Sequence, residues 1–342
     1  MGRDARQAYR VITREQDLSA EPSGRVRRWF FRVKVVFLGL SYKLTPARRV
    51  LFGFAILAAL LGLVRFNAVV ESRQISVNFS PVWFLLSVAS LVFLLALELV
   101  DRVLVRDELE VARQLQRDLL PSAAPALPGY DIAHSYRTAN EIGGDYYDFL
   151  PLTGGRTAIV VGDASGHGMA AGLLMAIANA ALKLAVEVDP SPRRVAALLN
   201  RVLHRTGDAR SFMTLFYGVL DPPSGALSFV CVGHPFPLLR GADGEVRELG
   251  TGGFPLGIRE SLDVAQHEIS LAHGDLLLLY SDGLPEAVSA SGEAFGYDAM
   301  RALLRQGGDV HQVHDRFLRA LAVHVGTESL RDDVTLVAVA RM

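Results

Sequence analysis

The chain has 342 residues, a formal net charge of −1 and an isoelectric point of about 6.8. This length suits two or three domains, and the balanced charge gives no reason to expect a nucleic-acid partner. A single cysteine, Cys231, excludes a disulfide framework and is typical of a reducing compartment. Hydrophobic residues make up 50% of the chain, and this excess is concentrated in two apolar runs towards the N-terminus.

The N-terminal segment, residues 1–49, is basic, with 12 Lys and Arg residues against 4 Asp and Glu residues. Within it, the stretch "WFFRVKVVFLGLSYKL" (Trp29–Leu44) mixes aromatic and cationic residues. Such a stretch suits a helix that lies in the membrane interface, and it suits an ordinary amphipathic helix equally well. The sequence leaves both interpretations open.

Two apolar runs, Val50–Val64 and Pro81–Leu97, contain no charged residue. Each is shorter than the roughly 20 residues that span a bilayer, yet the pair, with a short polar connection, predicts a transmembrane hairpin within residues 50–100. The alternative is a pair of buried core helices. The first run begins too far along the chain for a cleaved signal peptide, and the excess of Lys and Arg before it places both termini in the cytoplasm. We therefore expect a multi-pass protein of the inner cell membrane.

Residues 101–121 form the predicted linker between the hairpin and a C-terminal domain. An apolar stripe at helical spacing runs through this region and consists of Val100, Leu104, Val111, Leu115 and Leu119. A stripe of this kind pairs with a second copy of the helix or with the next domain. A homodimer through the linker helix is therefore one expectation, and packing on the next domain is the other. Pro121 ends the helix, and residues 122–342 form the predicted cytoplasmic domain.

Beyond Tyr130 the sequence alternates between strand and helix patterns. Strands are predicted at Tyr146–Leu150, Thr157–Val161, Phe212–Leu220, Leu227–Val232, Leu276–Tyr280 and Val334–Ala340. Helices are predicted at Ala170–Val186, Pro192–Thr206, Tyr297–Leu304 and Val310–Val325. The strands come in hairpin-like pairs with helices clustered between them, which favours an α+β fold with antiparallel sheets over a doubly wound parallel sheet.

The stretch "GGDYYDFLPLTGGRTAIVVGD" places an aspartate at each end of a predicted hairpin. When the segment folds about Gly154–Gly155, Asp145 at the start of the first strand lies within about one residue of Asp163 at the end of the second. Two carboxylates are therefore expected at one edge of a sheet.

A second pair of apolar strands has the same feature. "DLLLLYSDG" runs into Asp282, and "RDDVTLVAVA" runs out of Asp332 and Asp333. Carboxylates that crowd together repel and raise one another's pKa, and these motifs contain no matching set of cationic residues. Oxygen-rich sites of this type select hard ions such as Mg²⁺ or Mn²⁺. If both pairs share one edge, the sequence predicts a metal site; the alternative is a set of ordinary Asp-Gly turns.

Six motifs occur along this part of the chain. In order, they are "ELEVARQLQRDLLP", "EIGGDYYDF", "VVGDASGHGMAAGLLMA", "FMTLFYGVLDPPSGALSFVCVGHPFPLL", "GDLLLLYSDGLPEA" and "RDDVTLVAV". In this order and spacing, the region from Glu108 to Met342 resembles the bacterial PPM-type metal-dependent Ser/Thr phosphatases, in their SpoIIE-like branch. The resemblance implies a sandwich of two antiparallel sheets flanked by helices, with two Mg²⁺ or Mn²⁺ ions at one end. The N-terminal hairpin is not part of the resemblance.

The resemblance also implies a set of metal ligands. Asp163 is expected to contact both ions, and Asp145 with the backbone carbonyl of Ala164 completes the protein ligands of one of them. Asp282 and Asp332 are expected to hold the other ion. Asp333, the next residue, is expected to support Asp332.

Other residues near these motifs are less constrained. Gly162, Gly166 and Gly168 are expected to shape the loop that follows Asp163. His167 belongs to the motif, and a solvent-facing position suits it as well as a place in the site. Arg137 and Arg210 are candidates for contacting the substrate phosphate by position alone, and a surface role suits both.

The implied reaction is hydrolysis of phosphoserine or phosphothreonine by a water activated between two ions, without a covalent enzyme intermediate. The expected substrate is a phosphorylated signalling regulator of the anti-sigma-factor-antagonist type. One alternative is a catalytically silent, membrane-tethered scaffold of the same fold, and another is a metal-dependent hydrolase of small phosphoesters or nucleotides. The complete set of four aspartates, Asp145, Asp163, Asp282 and Asp332, favours an enzyme over a scaffold.

Overall fold

The computed structural model describes residues 24–64, 67–70, 73–76, 79–206 and 211–342. The chain divides into two compact units, Met1–Arg106 and Asp107–Met342. Each unit has its own internal contacts and is described by itself.

The first unit consists mainly of helices. Its elements are α1 (Arg25–Lys43), α2 (Pro46–Gly62), the antiparallel strands β1 (Asn67–Val70) and β2 (Arg73–Ser76), and the first part of α3 (Ser80–Leu119). Helices α2 and α3 pack on each other, since the buried Ser87 hydroxyl donates to the carbonyl of Ala55 at 2.7 Å. The guanidinium of Arg48 forms an ion pair with Asp101 at 2.6 Å.

The predicted transmembrane runs fall in α2 and α3. Helix α2 has 17 residues, which is fewer than the roughly 20 that span a bilayer. It ends at Gly62, two residues before the end of the first apolar run at Val64. Among the described residues, two helices are long and apolar enough to cross a membrane, α3 and Met169–Val188. The latter buries one face in the second unit, as the core helix of a folded domain does.

Helix α3 is continuous over 40 residues. It does not stop at the end of the second apolar run, because no glycine or proline interrupts the sequence between Val82 and Leu119. The predicted boundary between membrane span and linker therefore lies inside one helix. That helix ends at Leu119, two residues before Pro121.

The second unit contains ten strands and four further helices among the described residues. Its strands are β3 (Tyr130–Arg137), β4 (Asp145–Pro151), β5 (Thr157–Ala164), β6 (Met213–Asp221), β7 (Ala226–Val232), β8 (Leu238–Arg240), β9 (Val246–Glu248), β10 (His267–Ser270), β11 (Leu276–Tyr280) and β12 (Val334–Arg341). Its helices are α4 (Met169–Val188), α5 (Pro192–Thr206), α6 (Tyr297–Arg305) and α7 (Val310–Val325).

The strands form two five-stranded antiparallel sheets. The first has the order β10-β7-β6-β5-β4, and the second has the order β3-β12-β11-β8-β9. The predicted α+β class with two antiparallel sheets is confirmed. All six predicted strands and all four predicted helices are present, with ends shifted by up to three residues. Four strands were not predicted: β3, β8, β9 and β10.

Three apolar layers hold this unit together. Side chains such as Ile159 and Leu277 meet between the two sheets. On its other face, the first sheet packs against α4 and α5 through residues such as Val160 and Leu199. The second sheet packs against α6 and α7 through residues such as Phe317. The central strands are thus buried on both faces, which explains why their sequences are continuously apolar.

Candidate metal centre

The β4–β5 hairpin places the first two aspartates opposite each other. Gly154 and Gly155 turn the chain with φ of 76° and 74°, a conformation that glycine adopts at little cost. In the resulting register, Asp145 pairs with Asp163. The two carboxylates predicted to lie at one edge of a sheet are therefore neighbours across the hairpin.

Strands β11 and β12 bring the other acidic residues together in the second sheet. Tyr280 pairs with Leu336, and the amide of Ser281 donates to the carbonyl of Thr335 at 3.1 Å. Asp282 therefore follows the end of β11 close to the residues that precede β12, Asp332 and Asp333.

The acidic edges of the two sheets meet. The Thr335 hydroxyl donates to a carboxylate oxygen of Asp145 at 2.7 Å, and the amide of Gly144 donates to a carboxylate oxygen of Asp333 at 2.6 Å. Both hydrogen bonds join the second sheet to the segment that starts β4. Asp145, Asp163, Asp282, Asp332 and Asp333 thus lie at one end of the sandwich.

Burial and mutual repulsion raise the pKa of Asp145, Asp163 and Asp282. Burial, followed by the charges of Asp282 and Asp332, raises the pKa of Asp163 to about 8. Burial and then Asp332 raise the pKa of Asp282 to about 6. The pKa of the fully buried Asp145 lies well above its usual range, because of burial and then the charge of Asp163. A cluster of this kind stays ionised at neutral pH only with compensating positive charge.

Asp332 and Asp333 differ in environment. Asp333 is 4% exposed, and its two carboxylate oxygens accept from the amides of Ala139 and Gly144 at 2.8 and 2.6 Å. These bonds fix the loop before β4 to the start of β12. Asp332 is exposed, and one of its oxygens accepts from the Asp333 amide at 2.8 Å. Asp333 therefore orders the backbone, while Asp332 keeps oxygen atoms facing solvent.

Two glycines allow the backbone to pass close to these carboxylates. A Cβ atom at Gly144 would lie 2.5 Å from the carbonyl oxygen of Ala164 and 2.8 Å from Oδ1 of Asp163. A Cβ atom at Gly143 would lie 2.1 Å from Oδ2 of Asp333. Because real Cβ atoms do not approach this closely, both positions require glycine. The Ala164 carbonyl and the Asp163 carboxylate consequently face the same short segment.

The donor set fits a hard divalent cation. All five side chains offer carboxylate oxygens, and Oδ1 of Asp282 is buried without a hydrogen-bond partner. A buried oxygen of this kind is costly unless something binds it. Within the described residues, however, no group of three or more His, Cys, Asp or Glu side chains is arranged as a metal-ion shell. The negative charge and the oxygen chemistry of the donor set nevertheless fit a divalent ion.

Several other predicted residues surround the site. Gly166 and Gly168, with φ of 95° and 67°, turn the loop after β5. His167 between them is exposed. Arg137 pairs with Val334 at the acidic end of β12, and its position is exposed. Arg210 lies outside the described residues.

Three residues of the site could not be identified from the sequence. The Thr335 hydroxyl binds Asp145, as described above. The hydroxyl of Tyr136 is buried without a hydrogen-bond partner, and burial followed by the charge of Asp333 raises its pKa. Gln116, at the end of α3, forms two hydrogen bonds with the backbone of Gly143. No spacing rule connects these residues to the aspartates, because the fold alone brings them together.

Known proteins with similar sequences include two curated bacterial relatives. Phosphoserine phosphatase RsbU of Bacillus subtilis (strain 168) is 30% identical over 189 residues, which cover 55% of this chain and 56% of RsbU. Protein IcfG of Synechocystis sp. (strain ATCC 27184 / PCC 6803 / Kazusa) is 26% identical over 264 residues, which cover 69% of this chain and 42% of IcfG. The chain thus spans about half the length of the curated relatives it matches.

Solved structures share the fold. The SiaA-PP2C domain of Pseudomonas aeruginosa superposes with a TM-score of 0.63 at 24% identity, covering 71% of this chain and 98% of that domain. The RsbU and RsbW domains of Rv1364c from Mycobacterium tuberculosis superpose with a TM-score of 0.55 at 31% identity, covering 65% of this chain and 63% of that one. These likenesses show that the second unit has the PP2C fold.

A family model described as stage II sporulation protein E (SpoIIE) matches residues 153–342. This match covers more than half of the chain and includes Asp163, Asp282, Asp332 and Asp333, whereas Asp145 on β4 lies just before it. The predicted resemblance is therefore confirmed at the level of sequence and of fold: the chain belongs to the SpoIIE family of PP2C-type phosphatases.

Proposed function

We propose that this chain is a membrane-anchored phosphoprotein phosphatase that hydrolyses phosphoserine or phosphothreonine. The observation that carries the proposal is the meeting of five carboxyl groups from two sheets at one end of the sandwich, with an unpaired buried oxygen on Asp282. An arrangement that concentrates carboxylates, none of which forms an ion pair among the described residues, favours binding of divalent ions.

The proposed ligands of two Mg²⁺ or Mn²⁺ ions are the carboxylates of Asp145, Asp163, Asp282 and Asp332 and the carbonyl of Ala164. Asp333 is assigned a supporting role because backbone amides occupy both of its oxygens. Thr335 orients Asp145 through its hydroxyl.

Bound divalent ions would supply the Lewis acidity that makes a water nucleophilic at neutral pH and would neutralise charge on the phosphoryl group. The water oxygen forms a new bond to phosphorus as the bond to the serine or threonine oxygen breaks. One of the water's protons ends on the leaving oxygen and the other remains on the phosphate, so the products are a free hydroxyl side chain and hydrogen phosphate. The protein holds its carboxylates in position throughout and forms no covalent bond to the substrate.

The proposed substrate is a phosphorylated regulator of a signalling pathway, of the anti-sigma-factor-antagonist type. Support for this class comes from RsbU, a relative named as a phosphoserine phosphatase that is 30% identical over 189 residues.

The proposed organisation has four parts: a basic cytoplasmic segment at residues 1–49, a membrane hairpin at 50–100, a linker helix at 101–121 and the phosphatase domain at 122–342. The apolar surface of α3 supports membrane attachment, since residues such as Leu85, Leu95 and Leu99 are more than half exposed. The linker side chains Val111 and Leu115 are also exposed, which supports pairing with a second copy through this helix.

A direct test uses the full-length chain in detergent, freed of metal and then supplied with Mn²⁺. We expect Mn²⁺-dependent release of phosphate from a phosphoserine peptide and hydrolysis of p-nitrophenyl phosphate, both abolished by chelator. Asp163→Ala should remove both activities, while Asp107→Ala, at an exposed helix position outside the site, should retain them.

Three results would contradict the proposal. A folded protein that binds Mn²⁺ but hydrolyses neither substrate would favour the alternative of a catalytically silent scaffold. Activity that survives Asp163→Ala would overturn the assignment of the site. Activity on p-nitrophenyl phosphate without activity on any phosphopeptide would favour a hydrolase of small phosphoesters.

A further inference from the structure

The side chain of Gln116 is buried at the C-terminal end of α3. It is 5% exposed, whereas its helix neighbours Leu115 and Arg117 are exposed. A glutamine is seldom buried to this extent unless its amide is hydrogen-bonded. The position therefore calls for a partner that satisfies both the donor and the acceptor of the carboxamide.

That partner is the backbone of a single residue, Gly143. The Gln116 Nε2 group donates to the Gly143 carbonyl at 2.6 Å, and the Gly143 amide donates to Oε1 of Gln116 at 3.1 Å. The carboxamide thus occupies both backbone groups of Gly143, as a neighbouring strand would. The two residues are 27 positions apart in the chain, so this contact belongs to the tertiary fold.

Gly143 leads directly into the metal centre. The next residue, Gly144, donates its amide to Asp333 at 2.6 Å and accepts at its carbonyl from the Ala164 amide at 3.1 Å. Asp145 follows. A displacement of Gly143 therefore moves the point from which Asp145 extends, and it also disturbs the backbone that faces the Ala164 carbonyl.

The backbone at Gly143 has little room to adjust if the Gln116 carboxamide is lost. A Cβ atom at Gly143 would lie 2.1 Å from both the Tyr136 hydroxyl and Oδ2 of Asp333. The glycine backbone is thus enclosed on the side of the carboxylates and held by Gln116 through its amide and carbonyl. Without the carboxamide, two buried backbone groups would lose their partners.

We propose that Gln116 is a positioning residue of the metal centre: its carboxamide holds Gly143 so that Asp145 faces Asp163, and it thereby sets the affinity of the site for divalent cations. The inference rests on the proposed function for the nature of the ligand. It extends the functional site to a residue of α3, which lies before the region matched by the family model.

The test measures Mn²⁺ binding to the full-length chain in detergent after removal of metal. Free Mn²⁺ is quantified by its electron paramagnetic resonance signal, so the readout does not depend on turnover. Gln116→Leu should weaken Mn²⁺ binding by about 10- to 100-fold, the usual range when a partner of a metal ligand is removed. Gln114→Leu makes the same chemical change at an exposed position on the same helix and should leave the affinity within about twofold of wild type.

A second variant separates hydrogen bonding from packing. Gln116→Glu keeps the size of the side chain and the acceptor for the Gly143 amide, but an ionised carboxylate cannot donate to the Gly143 carbonyl. Its protonated form can donate. The deficit in Mn²⁺ affinity relative to wild type should therefore shrink between about pH 8 and about pH 5.5 for Gln116→Glu, whereas the deficit of Gln116→Leu should stay constant. This variant also provides the measurement if Gln116→Leu does not fold.

The outcomes separate this inference from the proposed function. If both Gln116 variants bind Mn²⁺ as wild type does, the positioning role is overturned, and phosphatase activity of the wild type would still stand. If Gln116→Leu binds Mn²⁺ weakly while the wild type hydrolyses no phosphopeptide, the positioning role is supported and the proposed function is overturned.

Discussion

Asp163 is the residue at which the carboxylates of the two sheets act on one another. It pairs with Asp145 within the first sheet, and the charges of Asp282, Asp332 and Asp333 in the second unit's other sheet raise its pKa. Because Asp163 interacts with all four other carboxylates, its substitution is the most direct test of whether they function as one site.

We expect Asp163→Asn to lower Mn²⁺-dependent phosphatase activity by at least about 100-fold, because the amide removes a ligand charge without changing the side-chain volume. The same change should not destabilise the metal-free protein, since it removes a carboxylate that repels its neighbours. Steady-state kinetics and thermal unfolding in chelator measure the two effects. Asp107→Asn is the matched control; equal loss of activity in both variants would contradict the assignment.

The raised pKa values predict how stability changes with pH when chelator is present. Asp282 and Asp163 titrate at about 6 and about 8 in the folded chain, above the value of roughly 3.9 for an unperturbed aspartate. The folded state therefore holds these protons more tightly than the unfolded state. The resulting stabilisation is complete below about pH 4 and is lost as the pH rises through 6 and then 8.

The Tm of the metal-free protein should accordingly fall between about pH 5 and about pH 9. Mn²⁺ should oppose this fall, because ionised carboxylates bind it more tightly. Asp163→Asn should flatten the decline at its alkaline end. A Tm that is independent of pH in chelator would show that the carboxylates are not crowded as the hydrogen bonds and burial indicate.

At the scale of elements, the backbone at the start of β4 is tightly packed against the carboxylates of the metal centre. Gly144→Ala introduces a Cβ atom where the Ala164 carbonyl and the Asp163 carboxylate leave no room. We expect a loss of about 1–3 kcal/mol in the free energy of unfolding, together with weaker Mn²⁺ binding as the strand start moves. Denaturant unfolding and metal titration measure these changes.

Gly252→Ala is the appropriate control for that substitution, because a Cβ atom at Gly252 meets nothing within 4 Å and its φ is not positive. The control should change neither quantity appreciably. If Gly144→Ala behaves like the control, the backbone near the carboxylates is less tightly packed than the structure describes.

The long elements were predictable because their patterns are local. Strand β5 is a continuous apolar run with a glycine turn before it, and the N-cap residue of α7, Asp309, forms a capping box with Gln312. Strands β8 and β9 have three residues each, too few for any alternation to be distinguished from a loop. Strand β3 carries polar residues such as His134 and Ser135, and its partner β12 is almost 200 positions away in sequence.

The site residues also separate into those predictable from a local pattern and those that depend on long-range packing. Asp145 and Asp163 could be placed together because a hairpin joins them, and a turn fixes the register of a hairpin. The meeting of the two sheets could only be assumed from sequence, since it depends on packing between layers. Gln116 and Tyr136 belong to the site through contacts with backbone or with carboxylates far along the chain. Neither a glutamine nor a tyrosine at these positions can be predicted from sequence to make such contacts.

At the scale of the whole molecule, the proposed membrane attachment through α3 predicts where the phosphatase is located. The exposed leucines of α3 predict that the full-length chain remains in the membrane fraction after an alkaline carbonate wash, and that a reporter fused after Met342 is cytoplasmic. Fractionation and reporter activity test these outcomes. Release of the chain into the soluble fraction would contradict membrane insertion, and a reporter on the outer side would contradict the hairpin.

The acidic end of the sandwich has a consequence for the order in which ligands arrive. A phosphorylated side chain carries negative charge of nearly two units at neutral pH, and the carboxylates at this end repel it. Under the proposed function, cations would therefore bind first and reverse the local potential before a phosphoprotein approaches. We then expect that, at limiting Mn²⁺, more Mn²⁺ restores turnover whereas more phosphoprotein does not, so that the supply of metal would set the order of binding.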